Sequence, residues 1–149
     1  MVVGGSPAKP QIVANQVVEV LGESERFCFH RAVNMTPTAA AEWLALVRDK
    51  ALASARLALA PLIAQMVDVC AIISKEGDVG DLGKVLASHT RMHSAEGFFY
   101  RDVFRAACTV PAHVVSPTSL NISKIGKLAA PPWGRDQKLA AVAAWSVMY

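Results

Sequence analysis

The sequence has few charged residues for its length. Asp, Glu, Lys and Arg make up 18% of its 149 residues, whereas apolar residues make up 53%. An average soluble protein has about 25% charged residues. A chain of this length is usually one domain around one continuous core, so we predict a single domain over residues 1–149. Because so little of the surface is expected to be charged, we also predict a homodimer.

Long uncharged apolar runs are absent as well. No run reaches the roughly 18 residues that a transmembrane helix needs. The N-terminal sequence MVVGGSPAKPQ has neither the basic start nor the apolar stretch of a secretory signal. These absences predict a soluble, cytoplasmic protein that has no membrane partner.

Cysteine is scarce, and the spacing of the cysteines does not indicate disulfide bonds. Cys28, Cys70 and Cys108 are an odd number of widely spaced residues in apolar surroundings. That arrangement does not fit a disulfide framework or a cysteine zinc site. Since free cysteine is usually buried, we expect three reduced core residues.

Internal repeats, low-complexity tracts and linkers are also missing, so the order of elements is the main guide to the fold. The predicted elements are strands in VVGGS, QIVANQVVEVLG and RFCFHRAVN, a helix from Pro37 to Pro61, a strand in VDVCAIIS, a helix from about Leu82 to about Cys108, a strand in AHVVSP and a helix from about Arg135. Thr36 is the expected N-cap of the first helix. The polar residues Glu42, Asp49 and Arg56 recur every seven positions in that helix, which leaves most of its surface apolar and indicates a core or an oligomer interface.

This order predicts an α/β protein with a mixed five-stranded sheet and helices on both faces. The first three strands are expected to be antiparallel, because parallel crossovers are made by helices. The order strand-strand-strand-helix-strand-helix-strand-helix resembles that of ribonuclease H-like domains, closest to the resolvase branch with the bacterial Holliday-junction resolvases. VVGGSP is similar to the first strand and its turn, and GRDQKLAAVAAW is similar to the start of the last helix. The resemblance spans nearly the whole chain and implies one ribonuclease H-like domain.

The resemblance implies metal-assisted chemistry on nucleic acids. In that family, carboxylates on the first strand, the fourth strand and the last helix hold magnesium ions that activate water. Asp136 stands at the last-helix position, but the first-strand position falls on or beside Ser6, and CAIIS in the fourth strand has no carboxylate. Glu76 follows that strand and is a candidate substitute.

Two functions are compatible with this incomplete set of acids. The first is nucleic-acid binding or a divergent metal-dependent nuclease or resolvase, with DNA or RNA as partner and magnesium as the cofactor of an active nuclease. The second is a catalytically inactive oligomeric scaffold or protein-interaction domain of the same fold, in which the acids have been lost.

Basic residues are concentrated near the C-terminus. Residues 111–149 carry four lysines or arginines against the single acid Asp136, and this excess equals the net charge of +3 of the whole chain. Arg135 and Lys138 flank Asp136 at a predicted helix N-terminus, where free amides favour phosphate. The candidate nucleic-acid-binding residues are Arg135, Lys138, Lys124, Lys127 and Arg101. Alternatively, the basic residues form a solvent-exposed rim around an apolar helix, and the acid stabilises the N-terminus of that helix.

A second candidate site lies in SHTRMHSAEGFFYR. His89, His93, Glu96 and Tyr100 fall within an arc of about 60° on one helix face. Two histidines one turn apart followed by a carboxylate are suited to binding a transition metal or to proton transfer. The sequence shows no third histidine or cysteine at ligand spacing, so the metal is left open, and a polar helix face is the alternative. The candidate catalytic residues are Asp136, Glu96 and His93.

Gly97 is unfavourable in the middle of this predicted helix. Glycine there costs about 1 kcal/mol relative to alanine. Such a residue indicates that something approaches the backbone closely, and two interpretations remain open. Either another helix packs against Gly97, or a ligand lies there.

Overall fold

The computed structural model describes residues 1–6, 8–125 and 133–148, with Lys124 described by its backbone alone. The elements in chain order are β1 (Val2–Ser6), β2 (Lys9–Ala14), α1 (Cys28–Ala32), α2 (Pro37–Ile63), β3 (Cys70–Ile73), α3 (Leu82–Leu86), α4 (His89–Ala107), β4 (Ala112–Val115) and α5 (Arg135–Ser146). Short 3-10 turns, Pro117–Ser119 and Ile122–Lys124, follow β4. No described helix is both long enough and apolar enough to cross a membrane.

The chain divides into two compact units. Unit 1 comprises residues 1–17, 60–75 and 108–149, and unit 2 comprises residues 18–59 and 76–107. Each unit is therefore built from separate stretches of the chain.

Unit 1 contains the strands and the last helix. β1 and β2 form an antiparallel pair, and β3 and β4 form a parallel pair in which Cys70 lies opposite Ala112. α5 packs on β1 and β3. Its small core is built from Ile125, Ala141 and Val142, with partly buried side chains around them. Gly5 has a φ of +93°, and a Cβ there would lie 2.4 Å from the Lys9 carbonyl oxygen, so the turn between β1 and β2 requires glycine.

Unit 2 is helical and contains the larger core. Short α1 packs on α3 and α4. α2 contributes a stripe of buried small residues, namely Ala40, Val47, Ala51 and Ala55. The core also includes Cys28 and Phe29 of α1 and Met92, Ala95, Phe99 and Val103 of α4. α1 is only five residues long, and so short a helix depends on tertiary contacts for its stability.

The prediction of a mixed five-stranded sheet is wrong. The described residues form two sheets of two strands each. The stretch RFCFHRAVN, expected to be the third strand, forms α1 instead. Its alternating pattern does not reflect a sheet face, because Cys28 and Phe29 are both buried against the other helices. QIVANQVVEVLG pairs with β1 only as far as Ala14.

The helices were predicted more accurately. The helix starting at Pro37 is confirmed, and the amide of Ala39 donates to Thr36 Oγ1 at 3.3 Å, as expected of an N-cap. That helix ends at Ile63, just beyond the predicted stop at Pro61.

The predicted helix from Leu82 to Cys108 is divided into α3 and α4. Asp81 caps α3 by accepting from the amide of Lys84 at 2.9 Å. Ser88 then accepts from the amide of Arg91 at 3.4 Å, which marks the start of a new helix. The predicted helix near Arg135 and the predicted strands VDVCAIIS and AHVVSP occur as α5, β3 and β4.

Candidate functional site

Three histidines meet in unit 2. His89 and His93 lie one turn apart on α4, and His30 reaches them from α1. The ring centroid of His30 is 5.3 Å from that of His89 and 4.7 Å from that of His93, and the two α4 rings are 4.4 Å apart. One ligand nitrogen from each residue lies within 4.8 Å of the other two. We call these residues the histidine cluster.

Glu96 fixes the position of His30. This carboxylate is buried, with only 7% of the residue exposed. Its Oε1 accepts from the amide of Phe29 at 2.8 Å and lies 3.3 Å from His30 Nδ1. The first amides of a helix have no partner within the helix, so Glu96 supplies one from α4. The same side chain thereby anchors α1 and orients the imidazole that α1 carries.

Two further contacts hold α1 in place. The Trp43 indole of α2 donates to the carbonyl of Cys28 at 3.2 Å. The Tyr100 hydroxyl of α4 donates to the carbonyl of Arg26 at 2.6 Å, immediately before α1. α4 therefore uses His89, His93, Glu96 and Tyr100 on the side that meets α1 and the residues before it.

One imidazole nitrogen in the cluster lacks a partner. His30 Nε2 is buried, and within the described part of the chain it forms no hydrogen bond. Buried polar atoms are nearly always hydrogen-bonded, so an exception calls for an explanation. Because Nδ1 faces Glu96, Nε2 is the nitrogen left to bind a metal ion.

The donor set suits a transition metal. Zinc binds histidine nitrogen at about 2.0–2.1 Å, which places two tetrahedral ligand nitrogens about 3.3 Å apart. The cluster is somewhat wider, since its nitrogens lie within 4.8 Å. His89 and His93 are exposed, whereas His30 is held by Glu96. Imidazole favours zinc, copper, iron or nickel, while magnesium prefers oxygen ligands.

The Cys28 thiol belongs to the surroundings of this cluster. It donates to Glu96 Oε2 at 3.4 Å. Burial, followed by the charge of Glu96, raises the pKa of Cys28 well above its ordinary value. Metal ligation requires a thiolate. Cys28 is therefore a hydrogen-bond donor to Glu96, and a metal ion at this place would be held by the three histidines.

Sequence reasoning found part of this site. The face with His89, His93 and Glu96 was identified from its spacing, but His30 and Cys28 were missed. The separation of 66 residues between His30 and Glu96 gives no periodic signal. The CFH segment was also predicted to be a strand, which obscured its place beside α4. A helical interpretation of that segment, with a histidine next to buried residues, was the available clue.

The other predicted site residues lie elsewhere. Asp136 and Arg135 are exposed on the first turn of α5, in unit 1, with Lys138 half-buried nearby. The Gly134 amide donates to Gln137 Oε1 at 3.1 Å, which defines the start of that helix. Ser6 is exposed at the end of β1, and Glu76 is exposed after β3. Lys127 and the side chain of Lys124 lie outside the described residues.

Arg101 is engaged within unit 2. Its guanidinium pairs with Asp102 at 2.8 Å, donates to the Gly77 carbonyl at 2.7 Å and lies over the Phe98 ring. Only 11% of its side chain is exposed. The nucleic-acid role predicted for Arg101 would require these contacts to be exchanged for phosphate.

Gly97 has open space around it. A Cβ at this exposed position would meet no atom within 4 Å among the described residues. Helix packing against Gly97 is thus not seen in unit 2. Gly97 follows His93 by one helical turn on α4.

Comparison of the chain with protein-family models, curated proteins and solved structures found no match.

Proposed function

We propose that this protein binds one divalent transition-metal ion of the zinc class through His30, His89 and His93. The observation that carries the proposal is the buried Nε2 of His30, which has no partner in the described chain and belongs to a cluster of three imidazoles. Glu96 supports it, because metal-binding histidines usually donate their second nitrogen to a carboxylate or a carbonyl.

The expected chemistry is metal-assisted hydrolysis. Catalytic zinc sites usually have three protein ligands and keep one position for water, whereas structural sites have four protein ligands. The cluster offers three nitrogens, and His89 and His93 are open to solvent. An ion held there would supply an acidified water at neutral pH, and the carboxylate of Glu96 would orient His30 through Nδ1.

Metal binding is tested with purified protein stripped of metal. Zinc should bind with a stoichiometry of one per chain in competition with a chromophoric chelator. His30→Ala, His89→Ala and His93→Ala should each weaken binding at least tenfold. His113→Ala is the matched control, because this histidine is exposed on β4 in unit 1. Equal binding by all four variants would contradict the proposal.

Cobalt(II) distinguishes the histidine cluster from a cysteine site. Bound cobalt should show visible bands without the intense near-ultraviolet charge transfer of a cobalt–thiolate bond. A thiolate band that disappears in Cys70→Ser would place the metal elsewhere.

The metal-loaded protein is then assayed with p-nitrophenyl acetate and bis-p-nitrophenyl phosphate. Hydrolysis of either substrate should require the metal and all three histidines, and absence of both activities would contradict the hydrolytic proposal.

The nucleic-acid function proposed from the sequence is a separate hypothesis. It rests on the cations around α5, and binding to a labelled DNA or RNA junction tests it. The assignments to the ribonuclease H-like family and to the cytoplasm likewise stay predictions.

A further inference from the structure

Unit 2 contains a cavity of about 260 Å³ that is lined by α3, α4 and the loop before α3. The floor of the cavity is apolar, with buried Val85 and Ala95 and half-buried Val79 and Phe98. Pockets for drug-sized ligands span about 300–1,000 Å³. This cavity therefore suits a smaller molecule, of the size of an amino acid.

The rim of the cavity carries charges of both signs. Asp78 and Asp81 belong to the loop before α3, and Arg91 belongs to α4. Asp81 caps α3 with Oδ1 alone, which accepts from the Lys84 amide. The Arg91 guanidinium forms no hydrogen bond or ion pair with a residue that the structure describes. The rim thus offers carboxylate oxygens to a cation and a guanidinium to an anion.

Contacts with α4 fix the loop before α3. Gly77 has a φ of +127°, and a Cβ there would lie 2.8 Å from Cζ of Phe98, so this close approach requires glycine. Arg101 lies over the same ring and donates to the Gly77 carbonyl at 2.7 Å. The charge of Arg101 also attracts Asp78. The cavity is therefore preformed, and a ligand does not have to order the loop on binding.

We propose that this cavity binds a free α-amino acid with an apolar side chain, such as leucine. The ammonium group pairs with Asp78 and Asp81. The carboxylate pairs with Arg91, whose planar guanidinium matches the two oxygens of a carboxylate. The side chain of the ligand covers the apolar floor. A simple amine leaves Arg91 unused, and a simple carboxylic acid leaves both aspartates unused.

The cavity is separate from the histidine cluster. At about 100° per residue, Arg91, Ala95 and Phe98 lie on nearly the opposite side of α4 from His89 and His93. The proposal is therefore independent of metal binding.

Calorimetric titration of the intact protein with L-leucine tests the proposal, and one leucine should bind per chain. Three analogues each lack one feature of leucine: 3-methylbutylamine lacks the carboxylate, 4-methylpentanoate lacks the ammonium group, and glycine lacks the apolar side chain. Each should bind about tenfold more weakly than leucine, or weaker still, because a charged or apolar part of the cavity loses its partner. Absence of leucine binding at millimolar concentrations, or equal binding of leucine and any of the analogues, would overturn the proposal.

Two variants at exposed positions assign the charged groups. Arg91→Gln should weaken leucine binding about tenfold and leave the binding of 3-methylbutylamine unchanged, because this amine has no carboxylate. Asp78→Asn should weaken leucine binding and leave the binding of 4-methylpentanoate unchanged. Arg105→Gln, exposed on the same helix, is the matched control and should bind leucine like the wild type. Wild-type leucine binding in Arg91→Gln, or equal losses in Arg91→Gln and Arg105→Gln, would overturn the proposal.

Discussion

Among single residues, Glu96 has the greatest influence on the candidate site. It is a buried acid that accepts from the Phe29 amide and the Cys28 thiol and faces His30 Nδ1. A buried carboxylate is stable only when it has such partners. Its position links the anchoring of α1 to the orientation of the imidazole.

Replacing Glu96 with glutamine tests this link. Glu96→Gln keeps the size of the side chain but replaces the carboxylate beside His30 Nδ1 with an amide. We expect zinc affinity to fall by about 10- to 100-fold, as for other partners of metal-bound histidine. Competition with a chelator measures the change, and Glu42→Gln on the exposed side of α2 is the control. Unchanged zinc affinity in folded Glu96→Gln would show that Glu96 does not position a ligand.

Tyr100 gives the protein a dependence on alkaline pH. Burial, followed by the neighbouring Cys28 and Glu96, raises the pKa of Tyr100 to about 12 from an ordinary value of 10.0. The folded state therefore holds this proton more tightly than the unfolded state. The stabilisation is complete below pH 10 and is lost as the pH rises through about 12.

Tyr100→Phe should change the unfolding free energy both below and above pH 10. Below pH 10 the variant loses the hydrogen bond to Arg26 and about 1 kcal/mol of unfolding free energy. Above pH 10 its stability should fall less steeply than that of the wild type, because phenylalanine does not ionise. Urea unfolding between pH 8 and pH 12 measures both effects. Tyr149→Phe, at the chain's other tyrosine, controls for tyrosine content, and parallel wild-type and Tyr100→Phe profiles would contradict the assignment.

Within elements, α4 carries one position that is unfavourable for a helix. Gly97→Ala adds a methyl group that meets no described atom within 4 Å. We expect the unfolding free energy to rise by about 0.5–1 kcal/mol, because alanine is the better helix former. Thermal or urea unfolding checks this value. A loss of stability would show that the space beside Gly97 is occupied in solution, and Ser94→Ala on the same helix is a control for surface substitution.

The start of α5 is the place to test the nucleic-acid hypothesis. Arg135→Ala with Lys138→Ala should weaken binding to a labelled DNA or RNA junction. The log–log slope of affinity against salt concentration should flatten by about one unit for each phosphate that the variant no longer neutralises. Arg48→Ala with Arg56→Ala on α2 removes the same charge from exposed positions and should leave both quantities unchanged. Equal effects of the two pairs would indicate nonspecific attraction.

Among the helices and strands, the sequence predicted the features that depend on local periodicity and helix capping. Pro37 and Thr36 identified the start of α2, because their effects are local. The short stretch from Cys28 to Ala32 was wrongly predicted to be a strand, since its helical form depends on Glu96 from a distant helix. The same long-range contact explains why the α4 half of the histidine cluster was found and the contribution of His30 was not.

For the whole molecule, the low content of charged residues still predicts a homodimer. α2 exposes Leu46 and Leu57, at 66% and 79% of their surface. Light scattering at micromolar concentration should give twice the mass of one chain. Leu46→Glu with Leu57→Glu should reduce this to one chain if α2 forms the interface, and Glu42→Gln should not. A monomeric wild-type protein would contradict the prediction.

The division of unit 2 between two stretches of the chain affects how long the folded state lasts. His30 belongs to the first stretch, and His89 and His93 belong to the second, so the proposed ligand set is complete only after both have docked. Interactions that form after the folding transition state slow unfolding and leave the folding rate nearly unchanged. A bound ion would thus slow unfolding and extend the lifetime of the native protein, while the folding rate would stay nearly the same.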